Sequence, residues 1–172
     1  MHLVNDTAKK LTALTMTIGL ILIDLLVKHQ IASSLTVTGT RPLIEGVLSL
    51  HYVENHGAAF SILSGHAWIF ILTAVIFTVV ALFFFFKYPY QADLTRVGIL
   101  LVAGAIGNLY DRVALGYVRD FFRFDFINFP VFNLADVYIT MAACIIVFGI
   151  LFGKHQKASH NEETRNKNNE GE

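Results

Sequence analysis

The segment from Ala67 to Phe86 contains no charged residue, and this feature restricts the fold more than any other. A helix of that length is able to cross the roughly 30 Å of hydrocarbon in a lipid bilayer. Such a run is not expected in a soluble domain of 172 residues, and 55% of the residues in the whole chain are apolar. The sequence therefore predicts a membrane protein.

Three further apolar segments occur in the chain, and polar or charged residues stand at one end of each. We therefore predict an all-α membrane protein with four transmembrane helices that form a single domain over residues 11–153. The expected spans are about 11–28, 67–86, 95–111 and 136–153. Residues 1–10 precede this domain. Residues 154–172 are rich in Asn, Glu and Lys, so that we expect a disordered tail there.

The distribution of lysine and arginine indicates how the four spans are oriented. With both termini on one side of the membrane, eight of these residues fall on that side and five on the other. Positive residues prefer the cytoplasmic side, so we expect cytoplasmic termini for this multi-pass chain. The opposite, outer face then carries the acidic and basic motifs described below.

Two short segments outside the spans have the alternation of β-strands. Residues Val47 to Val53 follow a turn signal around Gly39 and Pro42, and Arg119 to Phe126 places Phe122 and Phe124 on one face. We predict that these strands pair into a small β-sheet on the extracytoplasmic face of the four-helix domain.

Several classes of function are not indicated by the sequence. The formal net charge is zero, so there is no general basic surface for nucleic acid. The single cysteine, Cys144, lies in an apolar run, and no metal-binding histidine motif is present. We expect no metal, no cofactor and no nucleic-acid partner.

Asp24 and Lys28 lie one helical turn apart in the first span and so share a helix face. A charged side chain facing lipid costs about 2.5–3.5 kcal/mol on insertion scales, which favours an ion pair that supports the fold. Lys28 could alternatively extend to the lipid headgroups.

The acids Asp120 and Asp136 form the strongest constellation, since one lies in a predicted strand and the other at the start of the fourth helix. Two carboxyls that share one proton in a poorly hydrated site could hydrolyse an amide. Simpler interpretations exist: Asn133 could be an N-cap with Asp136 in the first turn, and Asp120 could pair with Arg119 or Arg123 at the surface. Spacing does not decide which aspartates meet among Asp24, Asp111, Asp120, Asp125 and Asp136.

Two polar segments could accompany the acids. Asn55 to Phe60 could hold a peptide or form an ordinary turn, and Gly104 to Arg112 combines small residues with Asn108 and Arg112. In the simpler interpretation, Arg112 neutralises Asp111 or a lipid phosphate. A proton-coupled carrier and a noncatalytic membrane scaffold are the alternatives to a peptidase.

At these motifs the chain closely resembles the lipoprotein signal peptidase family, also called signal peptidase II. The matching blocks are Asp24 with Lys28, Asn55 to Phe60, Gly104 to Arg112, Gly116 to Phe121 and Phe132 to Asp136. The resemblance implies an intramembrane aspartic endopeptidase of the bacterial plasma membrane. It would remove signal peptides from diacylglyceryl-modified prolipoproteins by cutting before the lipidated cysteine, in contact with membrane lipids and as a monomer.

The resemblance also implies roles for individual residues. The catalytic pair would be Asp120 and Asp136. The pocket would be lined or shaped by Asn55, Gly57, Asn108, Arg112, Asn133 and Ala135, and structural support would come from Asp24, Lys28, Gly104 and Gly107. Arg119 replaces the valine often found beside the first acid, and on a strand we expect its side chain to face away from Asp120.

Overall fold

The computed structural model describes the backbone of residues 2–37, 39–57, 67–87 and 92–169. Within these ranges, four helices and three strands follow one another. Their bounds are α1 (His2–Ser34), β1 (Thr40–Ile44), β2 (Leu48–Asn55), α2 (Ala67–Lys87), α3 (Ala92–Leu115), β3 (Val118–Phe124) and α4 (Leu134–Asn169). The mainly helical fold and the small antiparallel sheet were both predicted.

Helix α3 is the centre of the bundle, because it packs against α1, α2 and α4. Its small residues allow this close packing in a helical membrane protein. A Cβ atom added at Gly104 would lie 2.5 Å from the backbone oxygen of Ala135 in α4, and one added at Gly107 would collide with the carboxylate of Asp24 in α1. The two predicted support glycines therefore lie where α3 meets its neighbours.

Three helical segments in the described part of the chain are long and apolar enough to cross a membrane, namely 7–34, 94–115 and 134–151. The apolar stretch described within α2, Ile71–Phe83, is shorter than these three. Many large apolar side chains on the helices are exposed, among them Leu26 and Phe148. Contact with lipid accounts for such surfaces, whereas water would not.

Helices α1 and α4 extend beyond the predicted spans. The expectation of a disordered tail over 154–172 differs from the structure, in which α4 continues as a helix to Asn169. The residues after Gly153 include Lys, Gln, Ala, Glu and Arg and no proline, so the local preference is to continue the helical turn already begun. Residues 170–172 lie outside the described part.

The sheet is antiparallel with the strand order β1-β2-β3. Leu50 of β2 is opposite Phe122 of β3, and Val53 is opposite Asp120. Both predicted strands are confirmed, but the turn predicted around Gly39 and Pro42 was wrong in part, because Thr40–Ile44 forms a strand. β1 lies at the edge of the sheet, where proline is tolerated since one side of an edge strand needs no hydrogen-bond partner.

Candidate active site

Asp120 lies in the middle of β3 and is almost completely buried. Each carboxylate oxygen accepts a hydrogen bond from an asparagine side chain. The Nδ2 atom of Asn133 lies 2.6 Å from Oδ1, and the Nδ2 atom of Asn55 lies 2.8 Å from Oδ2. Asp120 is thus held from two sides, by the end of β2 and by the segment before α4. No pairing of Asp120 with Arg119 is observed, because Arg119 binds elsewhere.

Asp136 lies in the first turn of α4, and Asn133 caps this helix. The side-chain oxygen of Asn133 accepts the N–H of Asp136 at 3.1 Å, and Oδ2 of Asp136 accepts the N–H of Asn133 at 3.1 Å. This reciprocal pair satisfies two donors at the helix start, so the predicted N-cap is confirmed. The second oxygen of Asp136, Oδ1, accepts the side-chain amide of Asn108 at 2.8 Å.

The two acids line the same cavity of about 480 Å³, which is bounded mainly by apolar side chains. The pKa of Asp120 is raised to about 7, chiefly by burial and to a lesser extent by the negative charge of Asp136. The hydrogen bonds from Asn55 and Asn133 and the charge of Lys28 oppose this rise. Asp120 is therefore a carboxyl group that holds its proton near neutral pH, next to a second carboxyl group.

Asn55 and Gly57 form a turn at the end of β2. The N–H of Gly57 donates to the side-chain oxygen of Asn55 at 2.8 Å, and Gly57 has a φ of 79°. Glycine accepts this left-handed conformation at little cost. Because the oxygen of Asn55 is occupied by this turn, its amide nitrogen points to Asp120. The other residues of that motif, Ala58 to Phe60, lie outside the described residues.

Asn108 and Arg112 both lie on the face of α3 that borders Asp136. Oδ1 of Asn108 accepts hydrogen bonds from Nζ of Lys28 and from Nδ2 of Asn133, each at 3.0 Å. Arg112 donates to the backbone oxygen of Asn108 at 3.3 Å and lines a second cavity of about 410 Å³ that also reaches Asp136. Asp136 therefore lies between two cavities.

A buried group of charges lies behind the two acids. Lys28 is 2.8 Å from Asp24 and 3.8 Å from Asp111, and all three side chains are inaccessible to solvent. The predicted ion pair of Asp24 and Lys28 is confirmed, and the alternative in which Lys28 reaches the headgroups was wrong. Oδ1 of Asp24 also accepts the N–H of Ala135 at 2.9 Å, which joins α1 to the start of α4.

Arg119 binds Asp111 through its backbone N–H at 3.0 Å, its Nε at 3.1 Å and its Nη2 at 2.6 Å. Its guanidinium therefore faces away from Asp120, as predicted from strand alternation. Of the two partners considered for Arg112, Asp111 is bound by Arg119 instead. This contact was not predictable from spacing, since the two residues are separated by the end of α3 and the turn at Gly116.

Of the five aspartates considered from the sequence, the structure brings Asp120 and Asp136 to one cavity. Asp24 and Asp111 bind Lys28 and Arg119, and Asp125 binds Arg123 and Ser49. Within the described ranges, no group of three or more His, Cys, Asp or Glu side chains is arranged to hold a metal ion.

Comparison with known proteins identifies the family to which this chain belongs. A family model described as signal peptidase (SPase) II matches residues 16–152, which include all the residues of the site. The chain belongs to the signal peptidase II family. The resemblance noted in the sequence is confirmed, and the protein is a peptidase of this family.

Relatives of this signal peptidase II family member are similar over most of its length. A lipoprotein signal peptidase from Lactiplantibacillus plantarum is 40% identical over 142 residues, which are 80% of this chain and 93% of the relative. One from Lactococcus lactis subsp. lactis is 38% identical over 150 residues, or 87% of this chain and 99% of the relative. One from Streptococcus thermophilus is 39% identical over 145 residues, which are 83% of this chain and 93% of the relative.

Two solved structures of a bacterial membrane enzyme have the same fold as this signal peptidase II family member. One has a TM-score of 0.76 at 30% identity and covers 82% of this chain and 93% of its own. The other has a TM-score of 0.74 at 29% identity and covers 85% of this chain and 91% of its own. A location in a bacterial membrane follows from these comparisons together with the apolar helices.

Proposed function

We propose that this peptidase removes signal peptides from prolipoproteins by aspartic catalysis, with Asp120 and Asp136 as the catalytic pair. The observation that carries the proposal is that Asn133 contacts both acids at the edge of one cavity: its amide nitrogen lies 2.6 Å from Asp120, and its backbone N–H lies 3.1 Å from Asp136. Two acids so placed provide one proton donor and one proton acceptor for amide hydrolysis.

The raised pKa of Asp120 suggests how the proton is divided at the start of the reaction. We assign the proton at the start of the reaction to Asp120 and the role of proton acceptor to Asp136. Asp136 takes a proton from water as the water oxygen bonds to the carbonyl carbon of the substrate. Asp120 gives its proton to the amide nitrogen as the C–N bond breaks. Transfer of one proton from Asp136 to Asp120 then restores the initial state.

The surroundings of the pair suit a substrate that arrives from the lipid. Phe132, Val137 and Met141 line the cavity, and Met141 is half exposed on the outer side of α4. A diacylglyceryl-modified prolipoprotein would leave its acyl chains in the bilayer while the peptide before the lipidated cysteine reaches the acids. Of the residues that the resemblance implies for the pocket, Asn55 lines this cavity and Asn108 and Arg112 line the second one, so that these polar side chains would bind peptide groups that hydrocarbon leaves unpaired.

We further propose that all four helices cross the membrane, with cytoplasmic termini and the site near the outer face. Helix α2 has 21 residues, a length of about 31 Å, which is enough for a span. The lysine and arginine distribution of eight against five favours this orientation. A monomer would be sufficient for activity, because all the residues that bind the two acids come from one chain.

The decisive experiment is cleavage of a lipid-modified precursor by purified Asp120→Asn and Asp136→Asn variants in detergent or bilayers. Both variants should fold, because asparagine preserves the shape of the side chain and one of its two acceptor oxygens, and neither should cleave. The precursor without the diacylglyceryl group serves as the matched substrate control and should be processed poorly. Full turnover by either variant would exclude the pair as the catalytic residues.

A further inference from the structure

The three asparagines at the site all point the side-chain nitrogen at a catalytic carboxylate. In two of them a local backbone donor sets this direction. Gly57 donates its N–H to the oxygen of Asn55, and Asp136 donates its N–H to the oxygen of Asn133. Each oxygen is thereby occupied within its own turn, which leaves the nitrogen for Asp120.

Asn108 is different because it lies inside helix α3, where its own turn supplies no free N–H. Its oxygen instead accepts from Lys28 of α1 and from Nδ2 of Asn133, each at 3.0 Å. Its nitrogen donates to Oδ1 of Asp136 at 2.8 Å. The direction of this amide is therefore set by other elements of the fold.

Of the two groups that donate to the oxygen of Asn108, Lys28 has the stronger influence on the direction of the amide. An ammonium group has three donors and no acceptor, so any partner must present an oxygen to it. A reversed Asn108 amide would place N–H groups against Lys28 and an oxygen against the carboxylate of Asp136. Both contacts would be repulsive, and Lys28 is 0% exposed, so that no water is available there to relieve the first.

We infer that Lys28 is a positioning residue for the peptidase reaction, because its buried ammonium orients the Asn108 amide and so keeps an N–H donor on Asp136. The inference rests on the proposed catalytic pair. It assigns Lys28 a task beyond the ion pair with Asp24, since only one of its contacts is needed to neutralise that acid. A preorganised donor of this kind fixes the reacting oxygen before substrate arrives.

The experiment must separate orientation from charge balance, so every variant carries Asp24→Asn. This change removes the acid that would be left unpaired when Lys28 is replaced. Four proteins are compared: D24N, D24N/K28M, D24N/N108A and D24N/K28M/N108A. Folded yield and melting temperature report on structure, while kcat and KM for a lipid-modified precursor report on the reaction.

D24N/K28M should fold as well as D24N, because the charges of Asp111 and Arg119 still balance each other. Its kcat should fall by roughly 10- to 100-fold with little change in KM, the size of effect typical of groups that support a catalytic residue. In the N108A background, replacement of Lys28 should cause no additional loss of kcat, since the amide through which it acts is absent.

Equal kcat for D24N and D24N/K28M, or losses that multiply in the triple variant, would overturn the inference. If D24N/K28M does not fold, Asn108→Asp provides the test with the ion pair intact. In this variant Lys28 binds one oxygen of the new carboxylate, and the second oxygen faces Asp136 where the amide donor was. The kcat should therefore fall again. A kcat equal to that of the parent would overturn the inference. Activity in Asp120→Asn would instead refute the proposed catalytic pair, and this result is distinguishable from a failure of the inference about Lys28.

Discussion

The side-chain nitrogen of Asn133 lies 2.6 Å from Oδ1 of Asp120. Because the oxygen of the same side chain caps α4, the position of Asp120 relative to Asp136 depends on the first turn of a helix. The N-cap therefore serves two purposes: it begins α4 and it sets the spacing of the acids.

Replacement of Asn133 by serine should separate these purposes. Serine is about as good an N-cap as asparagine, so the melting temperature should change little. It has no amide that can reach Asp120, and we expect kcat to fall by about 100-fold or more, as for loss of an oriented donor. The measurements are thermal unfolding in detergent and cleavage of a lipid-modified precursor. Parental turnover would show that the amide of Asn133 is dispensable.

The pH dependence of the reaction should report the proton on Asp120. Its pKa is raised to about 7, mainly by burial, so the group is protonated below that pH and loses its proton above it. If that proton is needed for the leaving amine, kcat/KM should decline as the pH rises through about 7. A profile that still increases well into the alkaline range would contradict this role.

Asp136→Asn should lower the pKa of Asp120, because it removes a neighbouring negative charge that raises it. The pKa should stay above the ordinary value of 3.8, since burial is the largest cause and is unchanged. Carboxyl titration by ¹³C NMR of labelled aspartate would measure the shift. Asp125→Asn is a suitable control, as Asp125 binds Arg123 away from the cavity. An unchanged pKa in Asp136→Asn would mean that the two acids do not interact.

Gly107→Ala should destabilise the protein because the new Cβ would collide with the Asp24 carboxylate. Overpacking of this kind costs typically about 1–3 kcal/mol. Gly19→Ala is the matched control, since a Cβ there meets nothing within 4 Å and alanine favours helix. Thermal unfolding of the two variants in the same detergent makes the comparison. Equal melting temperatures would refute the close contact of α1 with α3.

Asp24→Asn should lower the yield of folded protein, because it leaves Lys28 without its 2.8 Å partner in a buried site. Breaking such a pair typically costs about 3–5 kcal/mol. Turnover per folded molecule should be close to that of the parent, since Lys28 still reaches Asn108. Size-exclusion chromatography and activity of the monodisperse fraction would measure both. Normal yield together with an inactive enzyme would mean that Asp24 has a catalytic part.

Contacts that depend on neighbours along the chain were predictable from the sequence. Asp24 and Lys28 are one turn apart, and Asn133 and Asp136 have the spacing of a cap and the first helical turn. Both pairs form as expected because helix geometry fixes them. The strands β2 and β3 were predicted for the same reason, from alternation within a few residues.

Contacts between distant segments were not predictable from spacing. The direction of the Asn108 amide depends on Lys28, which is 80 residues away in sequence. Arg112, one residue away, was considered as a partner of Asp111, but adjacent residues on a helix do not face each other, and Arg119 binds this acid. Strand β1 was missed because proline and glycine indicate a turn, while the edge position that makes proline acceptable is visible only after the sheet forms.

The position of α4 at the end of the chain has a consequence for biosynthesis. Asp136, its cap and most of the cavity wall belong to this helix or the segment just before it, whereas Asp120 lies earlier in the chain, in β3. If the two acids are the catalytic pair, a ribosome-bound intermediate that ends before residue 134 holds only one of them and should not cut a neighbouring polypeptide. Peptidase activity would then begin only after the first turn of α4 has been synthesised.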